Sequence, residues 1–214
     1  MDSKKSIGFW ESVASKSDLK SEDTKLGNNV TSAYDCNFIL KYANSDSDVL
    51  DLGSGGGLII NECYDKVKSI VCVELFEQFS RFIVKSPNIS VVNKSISDYQ
   101  PEQNEKFNLI TAFGILQYFN EQEIQELYIK YVQYLKVGGK IIVKQQFGVN
   151  ETITVQNFSK ELGKPYFAQY RTLELEKKIL EFSGFKIIEI ADIYPPELNK
   201  WDNTHFFALV AEKL

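Results

Sequence analysis

The sequence has little of what metal and thiol chemistry needs: one histidine, one methionine and three cysteines in 214 residues. Cys36, Cys63 and Cys72 form no C-x-x-C pair and have only His205 to join them. This disfavours a disulfide framework or a zinc centre and makes them packing residues, so no metal is expected. Long hydrophobic runs are missing as well. The longest charge-free apolar stretch, Phe107 to Asn120, falls short of the roughly 20 residues a membrane helix needs, so no span is expected. No apolar core of a secretory signal follows Met1 to Ser6, and the cytoplasm is the expected location. Basic blocks are also lacking. With 24 Lys and Arg against 29 Asp and Glu, the net charge is −5, which argues against duplex nucleic acid as a partner.

What is present is a chain built to fold, with 43% apolar residues, 15 Phe and 11 Tyr. Its length suits one domain, 1–214. Residues 1–46 are polar and read as a mobile arm leading into a helix over Tyr34 to Tyr42, with the Phe9-Trp10 pair as a lid or a core anchor. From Asp48 onward short apolar runs alternate with amphipathic segments, the texture of an α/β fold around a parallel sheet. Strands are expected at 48–52, 69–73, 89–93, 107–112, 140–144, 185–192 and 205–211. Helices are expected near 57–66, 77–84, 120–134 and 173–183, the third capped by Asn120 with Glu123 three residues on. Residues 47–144 form one functional half and 145–214 the other. Pro195-Pro196 marks a rigid turn between the last two strands.

The strongest local signal is Val49-Leu50-Asp51-Leu52-Gly53-Ser54-Gly55-Gly56-Gly57, an apolar strand running into a glycine turn and then a helix. Such a turn lets backbone N–H groups approach a ligand. Glu74 follows the second apolar run, Ile70 to Val73. A carboxylate at that strand end can accept hydrogen bonds from both hydroxyls of a ribose. At the open edge of the sheet, its removal should leave folding unchanged. A dinucleotide fingerprint would need a third glycine at Leu58, and a phosphate loop would need a Lys after the glycines; neither is there.

These residues are similar to those of a class I methyltransferase that uses S-adenosylmethionine, whose hallmark D-x-G-x-G-x-G is matched by Asp51, Gly53, Gly55 and Gly57. The resemblance extends over residues 36–214. It implies a three-layer Rossmann-like fold with a seven-stranded, mostly parallel sheet. The last strand is antiparallel and sits between the fifth and sixth. It also implies S-adenosylmethionine as cofactor, S-adenosylhomocysteine as product, and cofactor contacts from Asp51, Gly53, Ser54, Gly55, Gly57, Glu74 and Leu75. Ser95 and Ile96 fall in the family's adenine-contacting segment, where Ser95 stands in place of the usual acid. Phe113 opens the loop after strand four, and Asn108 and Gln117 occupy positions where Asp and His are common.

In that topology Phe113 to Tyr118, Gln145 to Phe147 and Asp192 to Tyr194 emerge at the carboxyl edge. An antiparallel final strand starting there brings Trp201, Asp202 and His205 with them. His205, oriented by Asp192 or Asp202, is the candidate base for deprotonating an alcohol acceptor. The segment 147–171 is longer than a plain crossover and is where the family builds an acceptor pocket. Candidate acceptor contacts are Gln117, Tyr118, Gln145, Tyr170, Arg171, Tyr194 and Trp201, with Arg171 suited to a carboxylate or phosphate. The expected activity is methyl transfer to a small-molecule hydroxyl, such as that of a sugar or nucleotide-linked sugar from surface polysaccharide or secondary metabolism. Competing readings are an N-methyltransferase acting on a small amine, an NAD(P)-dependent reductase or epimerase, and a non-catalytic cofactor-binding subunit. A homo-oligomer is compatible with all of them.

Overall fold

Apolar, β-branched runs with both faces coverable make buried parallel strands, and here they do so where the sequence places them. The computed structural model describes residues 3–24, 31–103, 105–159, 164–199 and 201–214. In it β1 (Asp48–Leu52), β2 (Ser69–Val73), β3 (Ile89–Val92), β4 (Phe107–Phe113) and β5 (Leu135–Gly148) run parallel. A two-stranded insertion, β6 (Ile153–Ser159) and β7 (Lys164–Tyr170), precedes β8 (Phe185–Ala191) and β9 (Thr204–Lys213). The main sheet has the order β3-β2-β1-β4-β5-β9-β8, with β9 antiparallel to both of its neighbours. This is the α/β, Rossmann-like architecture with an antiparallel last strand that the resemblance implied.

Alternation along each strand divides the core. Leu50, Leu52 and Ile110 face a cluster with α5 (Glu121–Val132) and α6 (Leu173–Phe182). Val49, Leu109 and Ile142 face a second cluster with α2 (Ser32–Ile39). The α5 start is a capping box: the Asn120 side chain accepts from the Glu123 N–H at 3.0 Å and the Glu123 carboxylate accepts from the Asn120 N–H at 3.0 Å.

Three expectations need correction. Residues 3–14 of the supposed mobile arm are a helix, α1 (Ser3–Ala14), that buries Phe9, Val13 and Ala14. It is pinned when the Ser6 hydroxyl donates to the Phe167 carbonyl at 2.7 Å. The part of the arm at 25–30 lies outside the described residues. The segment read as connection between β5 and α6 is the β6/β7 hairpin, in which only Phe167 and Ala168 are buried among the described side chains, so that no apolar run marks it. Finally, α3 (Ile60–Cys63) and α4 (Glu77–Ser80) are single turns. The Asn61 side chain donates to the Phe82 carbonyl and accepts from the Val84 N–H, taking over bonds that a longer α4 would have made.

Candidate active site

The carboxyl ends of β1, β2, β4 and β5 open into one cavity of about 840 Å³, roofed by α1 and the hairpin. This is the edge where open α/β sheets bind ligands. At the β1 end, Asp51 is 7% exposed and accepts from the Thr111 hydroxyl at 2.6 Å. Burial raises its carboxyl pKa, against hydrogen bonds from Thr111 and Ser54 that lower it. At the β2 end, Glu74 is equally buried. One carboxylate oxygen accepts from the Gly55 N–H at 2.8 Å and the other from the Phe76 N–H at 2.9 Å. Burial raises this group too, and the two N–H groups oppose it. Glu74 therefore ties the glycine loop to β2, in contrast to the expectation of an acid whose removal leaves folding untouched.

The glycines serve the chain's own packing first. Gly53 has φ of 72°, and a Cβ there would come within 2.7 Å of the Ile115 side chain, so only glycine lets the loop after β4 close over β1. Gly57, also at positive φ, would clash with Asn61 and Ile83. It is not among the cavity-lining residues.

Gly53, Ser54 and Gly55 line the cavity, as do Leu75, Ser95, Ile96 and Phe113. Gln117 and Tyr118 follow on the far side of Phe113, then Tyr170, Tyr194 and Trp201. Tyr118 is packed edge-on against Trp10 at 5.9 Å and Tyr166 at 6.1 Å, and burial pushes its phenol up to about 12. The Phe9-Trp10 pair is both wall and anchor: both residues line the cavity, and Phe9 is buried against Tyr166.

Three expected site residues are elsewhere. Gln145 is buried on the opposite face of β5 from Lys144 and Gln146, beside Glu176 at 3.5 Å. Because side chains alternate along a strand, its neighbours hold the cavity and it does not. Arg171 is wholly buried. Its Nε meets Glu176 at 2.6 Å, while Nη1 and Nη2 donate to the Phe119 and Leu116 carbonyls at 2.8 and 3.2 Å. It thus clamps the loop carrying Gln117 and Tyr118 and has no face on the cavity. His205 does meet its expected partner, with Nε2 2.8 Å from Asp192 Oδ2. However, its ring lies against Phe207 at 4.5 Å, and the next residue, Phe206, takes the cavity face. The sequence reading missed Lys144 and Gln146, though a charge ending an apolar strand in step with the cavity face was a visible signal.

A family model described as a methyltransferase domain matches residues 49–139. Over that stretch the chain is similar to a methyltransferase domain. In keeping with the fold, the domain is similar to an S-adenosylmethionine-dependent methyltransferase from Leishmania major at 17% identity and a TM-score of 0.76, covering 99% of this chain and 82% of that one. It is similar as well to 1,6-didemethyltoxoflavin-N1-methyltransferase of Burkholderia thailandensis, whose structure holds 1,6-didemethyltoxoflavin and S-adenosylhomocysteine, at 14% identity and a TM-score of 0.72, covering 97% of this chain and 86% of that one. Among curated proteins, phosphoethanolamine N-methyltransferase 3 of Arabidopsis thaliana is 30% identical over 105 residues, 45% of this chain and 21% of that protein. The chain thus spans about a fifth of the length of that relative.

Proposed function

We propose that this methyltransferase domain transfers a methyl group from S-adenosylmethionine to a small-molecule acceptor, leaving S-adenosylhomocysteine. The observation that carries the reading is the continuity of one cavity, from Asp51, the glycine loop and Glu74 to a chamber walled by Trp10, Tyr118, Tyr166, Tyr170, Tyr194 and Trp201. The residues at the first end suit the cofactor. Asp51 is a buried carboxylate on the cavity wall, fit to face an ammonium, and each Glu74 oxygen accepts one backbone N–H and keeps a lone pair for a ribose hydroxyl. Leu75, Ile96 and Phe113 offer apolar surface, and Ser95 a hydroxyl, for the base. When bound, the cofactor supplies an electrophilic methyl group; the chain holds, orients and shields the reactants.

The names of the two N-methyltransferases above support a small molecule as acceptor. A sugar hydroxyl, the acceptor first expected, needs a base, and His205 is not among the residues that line the cavity. The aromatic walls favour a flat or apolar acceptor. Three free, buried thiols, Cys36, Cys63 and Cys72, support a reducing compartment such as the cytoplasm, and among the described residues no helix is long and apolar enough to cross a membrane. The test is calorimetric titration of S-adenosylhomocysteine, followed by mass spectrometry for a methylated product from a panel of small aromatic amines, acids and alcohols. Saturable binding is expected, and its absence sinks the reading.

A further inference from the structure

The buried charges on the cavity wall are divided along its length, while Lys94, which also lines it after β3, is exposed. The two buried acids, Asp51 and Glu74, stand at the ends of β1 and β2, whereas the opposite end, at β5, holds a buried base. That base is Lys144, whose side chain is 5% exposed. Its ammonium is 3.3 Å from the Asp35 carboxylate of α2 and is ringed by Phe113, Tyr194 and Phe206 at 5.2, 5.4 and 5.9 Å from their centroids. Asp35 is fully buried, takes a hydrogen bond from the Tyr194 hydroxyl at 2.5 Å, and does not line the cavity, whereas Lys144 and the three rings do. The carboxylate thus compensates the cation from behind.

A buried ion pair of this kind is no aid to folding that a well-packed apolar pair could not match. Its place on the wall has a chemical consequence, because a desolvated ammonium attracts an anionic oxygen more strongly than it would in water. The rings around it suit the flat face of whatever carries that oxygen. Lys144 also lies beside the reaction end of the sheet: it is the register partner of Phe113, and its carbonyl accepts from the Gly114 N–H at 2.7 Å.

We propose that Lys144 is the specificity-determining residue of the acceptor site and selects an aromatic acceptor bearing an ionised oxygen, such as a carboxylate or phenolate. The proposal rests on the methyltransferase reading and supplies its substrate class. It moves to Lys144 the anion-pairing role that the sequence suggested for Arg171.

Benzoate and its neutral analogue benzamide are the probes, titrated calorimetrically into the protein saturated with S-adenosylhomocysteine. Benzoate is expected to bind about tenfold to a hundredfold more tightly than benzamide, the usual range for one charge-assisted hydrogen bond. Lys144→Arg should keep the preference. The double variant Lys144→Met, Asp35→Asn leaves no buried charge unpaired and keeps an acceptor for Tyr194; it should bring the ratio close to one while S-adenosylhomocysteine affinity stays within about twofold. A parental protein that does not prefer benzoate overturns the proposal without any variant being needed, and so does a folded double variant that retains the preference. Failure of S-adenosylhomocysteine to bind the parental protein is a separate result, which removes the methyltransferase reading itself.

Discussion

The two ends of the cavity are built on different plans. At the β1–β4 end, the principal lining residues sit in or just after the ends of their own strands: Asp51 and the glycine loop on β1, Glu74 on β2, Phe113 on β4. At the β5–β9 end the wall is assembled from α1, the hairpin, Lys144 and Gln146 on β5, Phe206 on β9 and the segment between β8 and β9, with Asp35 of α2 behind Lys144. The first end is held by backbone N–H groups, as at Glu74, so its geometry is local. The second is held by side chains reaching across the fold, the Ser6 hydroxyl to the Phe167 carbonyl of the hairpin and Asp35 to Lys144 and Tyr194. A ligand common to a family can be bound by a transferable turn, whereas an acceptor's shape has to be met by contacts between distant parts of the chain.

The sharpest way to break this comparison is at Arg171. Replacing it with Met leaves Glu176 buried and without its cation and frees the two loop carbonyls, so stability measured by urea denaturation should fall by about 3–5 kcal/mol. Unchanged stability with lost acceptor binding would return Arg171 to the substrate site. Next is Glu74→Ala. If it holds the ribose, S-adenosylhomocysteine affinity should drop by roughly tenfold to a thousandfold in calorimetry. Because Gly55 and Phe76 lose their acceptor, stability should fall as well, by about 1–3 kcal/mol. An affinity within about twofold of the parental value would leave Glu74 as a loop tie only.

A smaller effect separates the two edges of the sheet. At the opposite end of β1 from Asp51, burial alone would raise the Asp48 carboxyl, but hydrogen bonds from Lys136, Ser69 and Lys68 bring it down to about 2. The folded value lies below the unfolded one of about 3.9, so this group's stabilisation is present above pH ~4 and is lost as pH falls towards ~2. Asp51 and Glu74, raised by burial, carry the opposite sign: they cost stability as pH rises through their folded values. Asp48→Asn should therefore flatten the acid limb of a pH–stability curve, while Asp51→Asn, whose amide oxygen still accepts from Thr111, should stabilise the ligand-free protein near neutrality. An unchanged acid limb in Asp48→Asn would count against this assignment. The smallest effect is expected of His205→Ala. Its partner Asp192 is half exposed, so stability should move by no more than about 0.5 kcal/mol and turnover by less than about twofold. A loss of tenfold or more in turnover would bring back the base first assigned to it.

The seven strands of the main sheet, their order of appearance, the Asn120 capping box and the glycine loop with its acid were legible, because each is written in neighbouring residues and read by a period of two, a cap or a turn; the β6/β7 hairpin was not. The site residues misplaced by the sequence reading were misplaced for two reasons. Gln145 and His205 were assigned by the edge of the sheet they approach, and an edge does not say which face of a strand a side chain takes. One step along β5 or β9 exchanges Gln145 for Lys144 or Gln146, and His205 for Phe206. A buried Arg reads like an exposed one until its partner Glu176 is known.

The sequence by itself determined the parallel strands and the glycine turn with Asp51 and Glu74, since local hydrogen bonding and the lack of a Cβ at Gly53 are properties of a few consecutive residues. Only the tertiary structure decided that α1 and the hairpin roof the cavity and that Lys144, not Arg171, carries the buried positive charge on its wall. Burial and pairing depend on which distant segments are packed together, and a buried charge takes its role from the partner that the fold brings to it.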